Sequence, residues 1–177
     1  MFLYHHPQID SNVVYKYFSG DFKPKTNTKI KIITAALMLG FQFLFTDADV
    51  VFLRNPVPHL ASHNMADLVV QNDINSGLNL GFLLVRPTYS GVTLMIYTLD
   101  IVISRFISDQ LALNLVIEEM LSLHRLAIVV LDAQTFPCGK VYFEDEKRVF
   151  LKDRGKNDVA YIVHDNVLLT KCLCLLS

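Results

Sequence analysis

Two aspartates separated by one residue end an apolar run in the sequence FLFTDADVVFLRNP, residues 43–56. Side chains at positions i and i+2 of a strand share a face, and the chain turns at the strand's end. Asp47 and Asp49 can therefore place oxygen atoms around one hard cation. Mg²⁺ or Mn²⁺ suits such ligands, keeps positions open for phosphate oxygens and stabilises the charge of a departing diphosphate. The alternative is that these aspartates cap a turn or the following helix.

The elements that must position this pair follow an α/β pattern. Apolar residues at helical spacing predict a helix over residues 29–39, with Thr28 as its N-cap and Gly40 as its stop. The run 41–46 is typical of a strand inside a parallel sheet that is covered on both faces. The remaining predicted elements are strands at 68–71, 81–86, 126–131 and 159–163, and helices at 89–106 and 109–123, the second with Ser108 as its N-cap. Strands alternating with helices indicate an α/β sheet, whose carboxyl edge is where ligands bind.

The composition narrows the class of protein. A chain of 177 residues fits a single domain over 1–177, and 52% hydrophobic residues exclude disorder as its main state. Sixteen basic against 17 acidic residues give a net charge of −1, so we expect no nucleic-acid partner. The longest run without charges, residues 32–46, is too short to cross a bilayer. The three cysteines fit neither a disulfide framework nor a zinc site.

Four sequence blocks together carry a family resemblance. They are Lys31 with ALMLGFQFLFTDADVVFLRNP (36–56), SGLNLGFLLVRPT (76–88), DQLALN (109–114) and VHDN (163–166). In this order they resemble the nucleotide-diphospho-sugar transferase family, which includes plant cell-wall xylosyl- and arabinosyltransferases of the GT-A type with an Asp-x-Asp motif. The resemblance spans residues 29–171. It implies a GT-A-like open mixed sheet flanked by helices, and metal-dependent transfer of a sugar from a nucleotide diphosphate sugar to a hydroxyl acceptor.

The resemblance also implies a metal site. Asp49 would bind Mn²⁺ or Mg²⁺ directly, Asp47 would contact the metal's water shell or the ribose of the nucleotide, and His164 would complete the set of ligands. A histidine at the end of a strand is equally compatible with a hydrogen bond in a loop. The donor implied by the family is a nucleotide diphosphate sugar, most simply a UDP-sugar, and the acceptor is a glycan or glycoprotein.

Six further residues match positions that face the donor in similar enzymes. They are Asn79 and Gly81 in the sugar pocket, Asp109 and Gln110 against the reacting sugar, and Lys31 and Lys171 near the diphosphate. Structural alternatives remain open for three of them. Asn79 could shape the turn before its strand, Asp109 could interact with the dipole of its helix, and Lys31 could lie in solvent.

The sequence departs from the family pattern before the Asp-x-Asp block. Residues 1–28 offer one candidate strand, 13–18, and we expect part of the nucleotide-binding half to be lacking. No anchor or signal is visible, so a Golgi location follows from the resemblance alone, and membrane association would need a segment absent from this chain. Two other functions stay open. One is a non-catalytic domain that binds a sugar or partner, and the other is a phosphohydrolase of the haloacid dehalogenase type.

Overall fold

The computed structural model describes residues 23–73, 77–143 and 160–164. Within these ranges the helices are α1 Lys23–Met38, α2 Val57–Ser62, α3 Tyr89–Arg105, α4 Asp109–Ser122 and α5 Gly139–Phe143. The strands are β1 Phe43–Thr46, β2 Val50–Phe52, β3 Leu68–Asp73, β4 Gly77–Val85, β5 Ile128–Leu131 and β6 Ile162–His164. None of the helices in this part of the chain has the length and apolar character needed to span a bilayer.

The strands form two sheets, one of four strands in the order β1-β4-β3-β5 and one of two strands, β2-β6. β3 pairs with β5 in parallel, whereas β4 is antiparallel to both of its neighbours. The predicted open mixed sheet is therefore confirmed. The prediction that the first strand lies in a parallel sheet is wrong, because β1 pairs with β4 in the antiparallel direction. An apolar strand is buried in either direction when both faces of its sheet are covered, so the composition of β1 does not distinguish parallel from antiparallel pairing.

Two apolar clusters cover the two faces of the four-stranded sheet. On one face α1, α3 and α4 pack against alternate residues of β3 and β4, such as Val70 and Leu83. On the other face Leu60 of α2 and Phe136 pack against Phe82 and Ile162. The alternation arises because successive side chains of a strand point to opposite faces. β4 is buried on both faces and forms the centre of the sheet, between β1 and β3, and it contains Asn79 and Gly81.

The helix predicted over 29–39 begins earlier, at Lys23, so Thr28 lies inside α1 and is not its N-cap. Its predicted end at a glycine is confirmed. The Gly40 N–H donates to the Leu37 carbonyl at 2.9 Å and the Phe41 N–H to the Ala36 carbonyl at 3.0 Å. Gly40 has a φ of +85°, which a glycine adopts without the Cβ penalty, and the pattern is that of a Schellman motif.

The two long helices that follow β4 agree closely with the prediction. Ser108 caps α4 as expected, since its Oγ accepts a hydrogen bond from the Leu111 N–H at 3.3 Å. The Thr88 hydroxyl caps α3 in the same way, accepting from the Gly91 N–H at 3.0 Å. The short helices α2 and α5 were not predicted, because segments of six and five residues carry too few periodic positions to distinguish them from turns.

Candidate active site

The two aspartates and the late histidine meet in space. Ligand atoms of Asp47, Asp49 and His164 all lie within 4.8 Å of one another. The His164 Nε2 atom is 3.1 Å from Asp49 Oδ1 and 4.0 Å from Asp47 Oδ2. Two carboxylates and one imidazole form a donor set that fits a divalent cation with a preference for oxygen ligands and space for further ones.

The strands explain why these residues converge. Asp47 follows β1, and its N–H donates to the Gly81 carbonyl at 2.7 Å, extending the pairing between β1 and β4. The chain then turns and enters β2, which pairs with β6 so that Val50 lies opposite His164. His164 is therefore adjacent to Asp49, whose position immediately precedes Val50. The turn is closed by backbone groups, with the Val50 N–H 3.4 Å from the Asp47 carbonyl, which leaves both carboxylates facing the histidine.

Gly81 lies directly beneath the histidine and the first aspartate. A Cβ atom placed on Gly81 would collide with the His164 ring and would come within 2.6 Å of Asp47 Oδ2. Ordinary van der Waals contacts of a Cβ atom begin near 3.4 Å. The absence of a side chain at this position of β4 is thus what allows the imidazole and the carboxylate to approach each other. The predicted donor contact of Gly81 stays a prediction.

Asn79 is buried behind His164 on β4. Its Nδ2 atom is 3.1 Å from His164 Nδ1, and its Oδ1 atom accepts a hydrogen bond from the Gly81 N–H at 2.7 Å. Both polar atoms of the amide therefore have protein partners, and only 2% of the residue is exposed. The structure therefore holds the Asn79 amide beside the His164 ring. Its predicted contact with a sugar hydroxyl stays a prediction.

Asp109 is joined to the aspartate pair by a lysine that the sequence did not single out. Lys29 Nζ lies 2.8 Å from Asp109 Oδ2 and 3.7 Å from Asp47 Oδ1. It also lies over the Phe45 ring, 5.4 Å from the centroid. The sequence feature that could have identified Lys29 is its helical spacing. It is four residues before the buried Ile33 and therefore shares the face of α1 that is directed at the sheet.

The remaining predicted residues are placed as follows. Lys31 is exposed on α1, rotated by about 200° from Lys29, so the structure does not bring it into this cluster. Gln110 is half-buried in the first turn of α4, where its N–H donates to Asp109 Oδ1 at 2.9 Å. Lys171 lies outside the described residues. Of Lys29 and Lys31, the structure places only Lys29 beside the aspartates, and the predicted contact of Lys31 with the diphosphate stays a prediction.

The pKa values of the two carboxylates are shifted in opposite directions. Burial raises the pKa of Asp47, and the neighbouring Asp49 and Asp109 add to this rise, while Lys29 and His164 oppose it. Burial would also raise the pKa of Asp49. There, however, the hydrogen bond and charge of His164 outweigh burial, with help from the Asp49 backbone N–H and Lys29, and the pKa is lowered. Asp49 is thus the carboxylate that is held ionised most firmly, as a direct cation ligand requires.

Comparisons with known proteins find sugar transferases among the relatives of this chain. The sequence model of the nucleotide-diphospho-sugar transferases matches residues 1–171. A UDP-D-xylose:L-fucose alpha-1,3-D-xylosyltransferase of Arabidopsis thaliana is 25% identical over an alignment of 188 residues that covers 92% of this chain and 50% of that protein. The arabinosyltransferase XEG113 of the same plant is 28% identical over 88 residues, covering 41% of this chain and 14% of that protein. The chain spans about half the length of the similar xylosyltransferase.

A solved structure shares the fold. The glycosyltransferase involved in the glycosylation of the major capsid of PBCV-1 superimposes with a TM-score of 0.56 at 17% identity, covering 86% of this chain and 75% of that one. The predicted α/β fold of the glycosyltransferase type is therefore confirmed. Because the family's sequence model extends over nearly the whole chain and the Asp-x-Asp block ends the first strand of a glycosyltransferase-like sheet, the chain belongs to the nucleotide-diphospho-sugar transferase family.

Proposed function

We propose that this chain binds a nucleotide diphosphate sugar through a divalent cation and transfers the sugar to a hydroxyl group of an acceptor. The observation that carries the proposal is the convergence of Asp47, Asp49 and His164, whose ligand atoms lie within 4.8 Å of one another although the histidine is far away in sequence. This convergence occurs in a member of a family named for such donors. The family match also favours sugar transfer over the phosphohydrolase alternative.

The residues of the cluster have different proposed roles in binding the donor. Asp49 and His164 would hold Mn²⁺ or Mg²⁺ directly, and Asp47 would hold the cation, its water shell or the ribose. When bound, the cation supplies Lewis-acid stabilisation of the departing diphosphate. Asp47 and Asp49 must be ionised for this role, and the cation offsets the repulsion that two close carboxylates would otherwise experience.

Asp109 and Gln110 would face the reacting sugar from the first turn of α4. Lys29 pairs with Asp109 Oδ2 at 2.8 Å and keeps the carboxylate in a fixed orientation beside the aspartate pair. The lysine also adds a positive charge where the diphosphate would lie, so it would contribute to binding of the donor. Asn79 lies beside the His164 ring, and its amide would reach a sugar hydroxyl if the donor displaces one of its present partners.

The identity of the substrates rests on the relatives. The similar plant proteins are a xylosyltransferase that uses UDP-D-xylose and an arabinosyltransferase. We therefore place a UDP-pentose first among donors and a glycan or glycoprotein first among acceptors. On the family resemblance alone, we also propose a location on the luminal side of the Golgi membrane.

The alternative from the sequence, a non-catalytic domain that binds a sugar or partner, would use the same cluster of residues. Such a domain would bind the cation and the nucleotide without turning over the sugar. The two functions differ in one measurable product, because only the enzyme releases free UDP from a UDP-sugar in the presence of an acceptor.

The test is a thermal-shift titration of the 177-residue chain with UDP and GDP, with and without Mn²⁺. We expect stabilisation that depends on Mn²⁺ and approaches about 2.7 kcal/mol when the ligand exceeds its Kd by about 100-fold. Asp49→Ala should lose it, whereas Asp100→Ala, which removes an exposed carboxylate of α3, should keep it. Equal stabilisation of the wild type and Asp49→Ala would contradict the proposed cation site. A UDP-release assay with UDP-xylose then separates the enzyme from the non-catalytic domain.

A further inference from the structure

Gln71 is a fully buried polar residue of β3 that lies next to an irregularity in the sheet. Val70 is paired with Leu83 of β4, but Gln71 is paired with Asn79, so residues 80–82 of β4 bulge out of the ladder. Bulges of this kind redirect side chains near functional sites. Because residues directly opposite each other in an antiparallel pair share a face, the amides of Gln71 and Asn79 both reach the same ring of His164.

The orientation of the Gln71 amide is determined by two backbone carbonyls. Its Nε2 atom donates hydrogen bonds to the carbonyls of Phe136 and Pro137, each at 3.1 Å. A flipped amide would place its oxygen against these two carbonyl oxygens, which repel it. The Oε1 atom must therefore face His164, and it lies 3.0 Å from Nδ1.

Asn79 approaches the same ring nitrogen with the opposite polarity. Its Oδ1 atom is engaged by the Gly81 N–H at 2.7 Å, so the Nδ2 donor faces His164 Nδ1 at 3.1 Å. Nδ1 thus has one acceptor and one donor within reach. A neutral imidazole that binds a cation through Nε2 carries its proton on Nδ1, and this proton needs an acceptor. Of the two amides, Gln71 is the one that presents an oxygen.

We propose that Gln71 is the positioning residue that holds His164 with its proton on Nδ1 and its Nε2 lone pair directed at Asp47 and Asp49. The inference rests on the proposed cation site and adds a residue to it. Gln71 acts through His164 and does not itself contact the cation. Its second task, bonding the carbonyls of Phe136 and Pro137, fixes the amide so that its oxygen cannot turn away.

The experiment measures the Kd for Mn²⁺ alone, by titration calorimetry of the 177-residue chain, in the wild type and two variants. Gln71→Met removes the acceptor and the donors at similar volume, and we expect it to weaken Mn²⁺ binding by about 10–100-fold. Gln71→Glu keeps an acceptor for Nδ1 but loses the two donors to the carbonyls, so we expect it to bind Mn²⁺ nearly as the wild type does. A role limited to anchoring those carbonyls would weaken both variants equally and would overturn the inference.

A second measurement uses the wild type alone and is unaffected by any folding defect of the variants. Nitrogen-15 correlation spectra of the His164 ring with Mg²⁺ bound should show Nδ1 as the nitrogen that carries the proton. A proton on Nε2 under these conditions overturns the inference. A wild type that binds neither cation overturns the proposed function together with it, whereas normal Mn²⁺ binding by Gln71→Met overturns the role of Gln71 alone.

Discussion

Replacing Gly81 by alanine tests whether close packing of β4 creates the cation site. The added Cβ atom would collide with the His164 ring and lie 2.6 Å from Asp47 Oδ2, against an ordinary contact distance of 3.4 Å or more. Gly81 belongs to the part of β4 that bulges out of its ladder with β3. Both of its backbone polar groups are nevertheless bonded, the N–H to Asn79 Oδ1 and the carbonyl to the Asp47 N–H, each at 2.7 Å, and these bonds hold its backbone in place. The histidine and the aspartate must therefore move apart, and both are proposed ligands.

The size of the effect follows from this geometry. Overpacking in a buried position costs about 1–3 kcal/mol of unfolding free energy, and Tm falls by about 2–4 °C per kcal/mol in a chain of this size. Displacement of ligands by about 1 Å is expected to cost on the order of 100-fold in function that depends on their geometry. We therefore expect Gly81→Ala to remain folded and to lose most of its Mn²⁺ affinity in calorimetry.

Gly40→Ala is the matched control. Gly40 has a φ of +85° but nothing within 4 Å of a Cβ atom, so alanine there costs backbone strain of about 1–2 kcal/mol without touching the aspartates. The two variants should have similar losses of stability and very different affinities for Mn²⁺. If Gly81→Ala binds Mn²⁺ as tightly as Gly40→Ala does, the ligands are not placed by the missing side chain and the reasoning is wrong.

Three further substitutions test the electrostatics. Lys29→Met should lower the unfolding free energy by about 3 kcal/mol, because it leaves the buried Asp109 carboxylate without its cationic partner. Adding Asp109→Asn should recover part of this loss, as measured by urea titration. Because burial raises the pKa of Asp47, the fold disfavours its charged form at neutral pH; Asp47→Asn should raise the Tm of the metal-free chain and reduce its response to Mn²⁺. Burial, with His63 and Arg54, lowers the pKa of His59 below 6.5, so stability should fall as pH drops below 6.5, and His59→Phe should weaken that dependence in urea titrations at pH 7.5 and 5.5.

The parts of the fold that the sequence predicted are those with local signals. The predicted bounds of α3 and α4 are correct to within one residue, with Ser108 as the cap of α4, and Gly40 marked the end of α1. The Asp-x-Asp pair was visible in the sequence because an apolar run ends in two charges, and His164 was identified through the family resemblance. The direction of β1 was not predictable, since it depends on the long-range pairing of β1 with β4 and not on the residues of β1.

Residues that act through long-range contacts escaped the prediction for a physical reason. Gln71 reaches a ring 93 residues away in sequence, and its orientation depends on carbonyls 65 and 66 residues away. Nothing within its own strand distinguishes it from an ordinary buried glutamine. Lys29 was within reach of prediction, because its spacing to Ile33 places it on the buried face of α1, whereas Lys31 lies on the opposite face.

The proposed cation site lies at the junction of two sheets of different size. Asp47, Gly81 and the two amides are mounted on the four-stranded sheet, which is covered on both faces by apolar clusters. His164 instead belongs to β6, which forms three residue pairs with β2 within the described part of the chain. The His164 N–H also donates a hydrogen bond to the Pro137 carbonyl at 3.2 Å, which links β6 to the segment after Phe136. Gln71 bonds both that segment and the His164 ring, so it connects the small sheet to the large one. A cation bound by Asp49 and His164 would join the same two parts, and its binding energy would therefore stabilise the smaller sheet against local opening.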